Sequence, residues 1–145
     1  MKGFRILAAG VLLALAAAAT AQQRSYSEGR VSAVTSVKVL DGQFENYMRF
    51  LDTTYKASME AAKKAGLILD YEVVQGSPRR PEDADLYLIV TYPNLAALDG
   101  LDDRMEPIME KVTKMSLAQR DEASGKRAVM RTLLGTELVR ELTLR

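Results

Sequence analysis

Between Val31 and Leu40 the chain alternates, with Val31, Ala33, Thr35, Val37 and Val39 on one side and Ser32, Val34, Ser36, Lys38 and Leu40 on the other. A period of two carried by β-branched side chains predicts a strand. Asp41-Gly42 closes it, and the Asp41 carboxylate is placed to cap the turn that follows. From Phe44 to Ala65 the period becomes helical, with Phe44, Tyr47, Met48, Leu51, Tyr55, Met59 and Ala62 on one stripe. The opposite stripe is charged: Glu45 and Arg49, Asp52 and Lys56, and Glu60 and Lys64 each put an acid four residues before a base. Gly66 ends the helix after Lys63-Lys64, cations that suit its negative end.

Leu67 to Val74 alternates again, and Asp85 to Tyr92 is an almost continuous apolar strand ended by Pro93. The stretch between them, Gln75 to Ala84, carries Gly76, two prolines and Arg79-Arg80 and reads as a long hairpin-type connection. Asn94 caps a second helical pattern through Leu95, Leu98, Leu101, Met105, Ile108, Met109, Val112 and Met115, with a break or kink at Gly100 and Pro107. Ser116 to Met130 reads as a further helix loosened at Ser124-Gly125, and Gly135 to Leu144 as the last strand. The order is β-α-β-β-α-β with an extra helical segment before the last strand, an α+β class of the ferredoxin-like, split βαβ type. Its antiparallel sheet would carry the helices on one face only.

Alternation assigns Val37, Val39, Leu69, Tyr71, Leu86, Leu88 and Val90 to the face under the helices. Val34, Ile68, Val74, Tyr87, Ile89 and Val139, mixed with Lys38, Asp70, Glu72 and Glu141, fall on the other face. A half-apolar open face is an exposed patch, and a second copy of the chain is the least costly cover for it. A homodimer is therefore expected.

The runs VKVLDGQFENYMRFL, DLYLIVTY followed by PNLAALDGL, and GTELVREL resemble the dimeric α+β barrel superfamily, including antibiotic-biosynthesis-monooxygenase-like and NIPSNAP-like proteins. The resemblance covers roughly residues 31–144 and rests on topology and strand pattern. It implies ferredoxin-like subunits paired sheet to sheet as a dimeric α+β barrel. In the monooxygenase-like branch it implies an Asn, His and Trp set at the cavity, and this chain has no His and no Trp. Asn46 is the counterpart that the Asn of that set could have here.

The N-terminus is a separate matter. Lys2 and Arg5 precede the apolar run Ile6 to Ala19, and Ala19-Thr20-Ala21 is a small-x-small cleavage signal, so residues 1–21 read as a secretory signal peptide. The run is short of the ~20 residues of a membrane-spanning helix, so no stable anchor is expected after cleavage. The mature protein is then expected to be exported and periplasmic, with residues 22–30 a flexible polar leader and 31–145 the domain. With 20 basic and 19 acidic residues overall, the net charge of +1 is too small to attract nucleic acid. The absence of Cys and His excludes triads, zinc fingers and His-held haem, and neither cofactor nor metal is expected.

Among candidate site residues, Tyr47, Tyr55, Tyr71 and Tyr87 combine an aromatic body with a polar tip and suit a flat organic ligand in a cavity between sheet and helices. Ordinary core packing is the competing account. Asp70 and Glu72 share a strand face and could form a general base or hold a hard metal ion. The competing account pairs them with Lys38, Arg140 or a partner chain. Arg79, Arg80, Arg104, Arg127 and Arg131 could gather on a carboxylate or phosphate, or stand solvated. Asp99, Asp102 and Asp103 lack the ligand spacing of a calcium loop. The favoured expectation is an exported homodimer that binds a small apolar or aromatic molecule, or serves as an accessory protein. The alternatives are a cofactor-independent monooxygenase-like enzyme using Asn46, tyrosine hydroxyls and Asp70 or Glu72, and an envelope protein-protein interaction module.

Overall fold

The computed structural model describes residues 24–145, so the expected signal peptide lies outside the described residues. Four strands, β1 (Tyr26–Val39), β2 (Asp70–Gln75), β3 (Leu86–Tyr92) and β4 (Arg131–Leu144), form one sheet in the order β2-β3-β1-β4. Every neighbouring pair is antiparallel. Between β1 and β2 run α1 (Phe44–Phe50), a π-helical turn (Leu51–Tyr55) and α2 (Lys56–Lys64); α3 (Leu101–Thr113) and α4 (Leu117–Lys126) lie between β3 and β4. This mixed α+β arrangement fits a ferredoxin-like fold.

The long central strand starts earlier than its alternation suggested. Tyr26 to Arg30, expected to be part of a flexible leader, are strand because the far end of β4 offers them a ladder: Tyr26 faces Leu144, Ser27 faces Thr143 and Glu28 faces Leu142. Ion pairs from Arg30 to Glu141 (3.0 Å) and from Arg140 to Glu28 (2.7 Å) flank that ladder. Exposed pairs of this kind add little each, so the backbone ladder is the main tie.

The helix expected over Phe44 to Ala65 is present but widens in its middle into the π-helical turn. Asp41 does not cap it; Gln43 occupies that position, without a side-chain bond to the helix. At the other end Gly66 takes φ +73°, and the Gly66 and Leu67 amides donate to the carbonyls of Lys63 and Ala62. Only a residue free to adopt positive φ closes a helix in this way at no steric cost. The α4 start is fixed by Ser116, whose hydroxyl accepts from the Gln119 amide while the Gln119 side chain accepts from the Ser116 amide.

Two clusters make the core. One joins Val37 and Val39 of β1 and Leu86 and Leu88 of β3 to Tyr47 and Leu51. The other joins Ala62 of α2 to Ile68 and Tyr92, with Ala33, Tyr71 and Val90 against it. Ile68 and Leu69 exchange their expected roles: Ile68 is 4% exposed and Leu69 43%. Both precede β2, which begins at Asp70, so they lie outside the alternation that assigned them. No helix among the described residues is long and apolar enough to cross a membrane.

Candidate functional site

An apolar cleft lies between helices rather than between helices and sheet. Phe50, Tyr55 and Met59 contribute one wall, Met109 and Met115 the end, and Leu117, Arg120, Ala123 and Ser124 of α4 the other wall, with Arg127 beside them. The cleft holds about 310 Å³, at the lower end of small-molecule pockets, which start near ~300 Å³. Its lining is apolar partly because its hydroxyls are already used. Ser58 donates to the Thr54 carbonyl at 2.8 Å, and Thr113 to the Met109 carbonyl at 2.7 Å. The π-helical turn sets the phase between α1 and α2, so Leu51 at its start is buried in the core and Tyr55 at its end faces the cleft. Such turns are frequent at functional sites.

The polar groups around the cleft are cationic and phenolic. The Arg127 guanidinium lies 4.2 Å from the Phe50 ring centroid, a cation-π contact. Burial lowers the Arg127 pKa, and the neighbouring Arg131 guanidinium lowers it further. Arg131, the first residue of β4, is 8% exposed, and its contacts to the Ser124 carbonyl and hydroxyl are long, at 3.5 and 3.4 Å. Arg120 donates to the Met115 carbonyl at 2.7 Å and is paired with Glu106. Three buried polar atoms lack partners: the Tyr55 hydroxyl, Arg127 Nε and Arg131 Nε. Burial pushes the Tyr55 phenol well above its ordinary range, and neighbouring phenols add to the shift.

The four tyrosines expected to line one cavity are divided. Tyr55 lines the helical cleft and meets Tyr71 edge-on, with ring centroids 6.0 Å apart. The Tyr71 hydroxyl donates to Glu60 at 2.7 Å, which pushes the phenol up to about 12. Tyr47 is core, beside Arg131, and burial raises its pKa. Tyr87 faces Ser36 and Val74, on the side of the sheet away from the helices. Its register puts it there, so it cannot share a ligand with the others.

The remaining candidates also disperse. Asn46 is exposed and donates to the Gln43 side chain. Asp70 pairs with Lys63 at 2.8 Å, and that bond holds its carboxyl below the usual range, the opposite of what a general base needs. Lys38 pairs with Asp85 instead, at 3.0 Å, and Arg140 with Glu28. Arg80 bonds Asp83, and Arg104 donates to the carbonyls of Ala97, Asp99 and Gly100. Among the described residues no group of three carboxylates is placed to hold a metal. Of the five arginines singled out by sequence, only Arg127 and Arg131 come together. Arg120 had no signal in the sequence, since it sits in an ordinary helical pattern, and Ser124 stood out only as a loosening of the last helix.

The outer face of the sheet carries two shallow grooves. One runs past Val34, Tyr87, Arg79 and Glu137; the other past Asp70, Glu72, Ile89 and Val139. The first is larger, about 670 Å³, but is open and polar.

The chain matches no protein-family model and no curated protein. Its class is set by structure: a small α+β protein with an antiparallel sheet. It is similar to the crystal structure of HapK from Hahella chejuensis, with a TM-score of 0.50 and 9% identity, covering 77% of this chain and 91% of HapK. At that identity the likeness is one of fold.

Proposed function

We propose that this is an exported homodimer of the dimeric α+β barrel class that binds a small apolar or aromatic molecule without reacting it. The helical cleft carries the proposal. It offers an apolar lining of methionine, leucine and aromatic side chains beside the Arg127 guanidinium, the usual build of a small-molecule site. The ionisable groups around it favour binding over chemistry. Phenols held above their ordinary range, and guanidiniums of any kind, are not bases near neutral pH.

The dimer rests on β4, which is an edge strand with Leu133, Leu134, Leu138, Val139, Leu142 and Leu144 all exposed. A long apolar edge of this kind is a ready site for a second chain. The outer face beside it, with Val34, Tyr87 and Ile89, would be covered in the same step. Export rests on residues 1–21 alone.

Native mass spectrometry of the protein purified from the cell that makes it reports cleavage, subunit number and retained ligand together. The expected species is a dimer of chains beginning after Ala21, carrying a small molecule. A monomer at micromolar concentration, or chains that keep residues 1–21, would remove the corresponding part of the proposal.

A further inference from the structure

Arg127 and Arg131 have no acid to balance them. Among the described residues neither makes a salt bridge, whereas Arg120, on the same cleft, is paired with Glu106. Asp121 also lines the cleft, but it is exposed and outside ion-pair distance of both. Arg131 is buried behind Ser124, which lines the cleft, and each of the two guanidiniums has a buried Nε–H without an acceptor. Taking cations out of water is costly unless a counter-charge accompanies them. The Tyr55 ring lines the same space, but its hydroxyl is buried among Tyr47, Tyr71 and Tyr92 and is closed off from it. An unpaired positive charge on Arg127 therefore lines an apolar cleft with room for a small molecule, and that of Arg131 lies buried behind Ser124.

Resting on the reading of the cleft as a ligand site, we propose that its ligand is an organic anion. The apolar body lies along Met59, Met109, Met115 and Leu117, and a carboxylate or sulfonate meets the Arg127 guanidinium, with Arg131 adding positive potential from behind. A guanidinium presents paired N–H groups that match such an oxyanion, so the contact fixes orientation as well as affinity. The burial and mutual repulsion that lower the Arg127 pKa are both relieved by an incoming negative charge.

The test uses two dyes that differ by one group: 8-anilino-1-naphthalenesulfonate and its neutral counterpart N-phenyl-1-naphthylamine, each titrated by fluorescence into the intact protein. The sulfonate is expected to bind at least about tenfold more tightly, the scale of one hydrogen bond to a charged group. Arg127→Met, which keeps an apolar stem against Phe50, should abolish that preference, bringing the ratio of the two affinities to about one. Ala123→Phe fills the cleft and should exclude both dyes. Equal affinity of the two dyes for the unaltered protein, or a preference that survives Arg127→Met, overturns the anionic assignment while leaving an apolar site. Both dyes binding undiminished to Ala123→Phe would place them elsewhere, and the cleft reading would fall with the inference.

Discussion

Strands β3 and β4 flank β1 on its two sides, and both are built largely from leucine, valine and threonine. On β3, Leu86 is 2% exposed and packs with Val37 and Tyr47. On β4, Leu138 faces Ala33 across the ladder yet is 54% exposed. The difference is made by the helices. They cover β1 and β3, where the two core clusters lie, and past Arg131 they leave β4 uncovered on both sides. Apolar side chains in a strand thus define a core only where a second layer reaches them. On β4 the charges Glu137, Arg140 and Glu141 interrupt the leucines, a usual way of restraining an exposed edge from indiscriminate pairing.

Cutting the same side chain on each strand measures this contrast directly. Leu86→Ala is expected to destabilise the fold by about 2–5 kcal/mol, the range for a fully buried leucine. Leu138→Ala in an isolated chain should cost no more than about 0.5 kcal/mol. Urea unfolding at low and at high protein concentration separates the strands further. If a second copy covers β4, the Leu138→Ala penalty grows with concentration while the Leu86→Ala penalty changes little. A Leu138→Ala cost that stays small at both concentrations would mean β4 is bare in solution.

A smaller effect is expected where β4 breaks its own period. Gly135 takes φ +150°, and the register against β1 shifts between Ser36 and Val37, so Leu133 rather than Leu134 faces Val37. A methyl group at Gly135 would touch nothing within 4 Å, so Gly135→Ala tests the backbone alone. The expected cost is about 1–2 kcal/mol, read from a thermal or urea melt. A neutral result would show that the shift does not depend on glycine and that β4 can re-register.

That irregularity also explains what the sequence withheld. The alternation of β1, the stripe from Phe44 to Ala62 and the run from Leu86 to Tyr92 were legible because each follows one period throughout. The start of β4 was not, because Leu133 and Leu134 stand side by side at the shift and mimic no period. Tyr26 to Arg30 look polar and loose in sequence, and they become strand only because β4 extends far enough to pair with them. Within the site, Tyr55 was legible as an aromatic on an apolar stripe. Arg127 was noticed only as one arginine among five, since nothing local distinguishes a guanidinium stacked on Phe50 from a solvated one. For Tyr87 the alternation is right and the grouping wrong: its strand position puts it on the open face with Val74 and Ile89, apart from the other tyrosines.

The smallest effect concerns the rim of the covered side. Tyr71 belongs to β2 and its hydroxyl reaches up to Glu60 on α2, so this one bond ties an edge strand to the helical layer that β4 lacks. The bond moves the phenol from 10.0 to about 12. In the unfolded chain Tyr71 ionises near the lower value, so between the two the unfolded state holds fewer protons than the folded one. Stability from this group is therefore complete below pH 10 and declines as pH rises towards the folded value. Tyr71→Phe removes that term. At neutral pH the variant is expected to lose only a few tenths of a kcal/mol, because the bond is exposed to solvent. Its alkaline unfolding curve should fall less steeply than that of the unaltered protein between pH 10 and about 12. A residual slope should persist in the variant from Tyr55 and Tyr47, whose phenols burial raises in the same direction. Superimposed curves would mean that β2 is held under the helices by Ile68 and its neighbours alone, with no contribution from the hydroxyl.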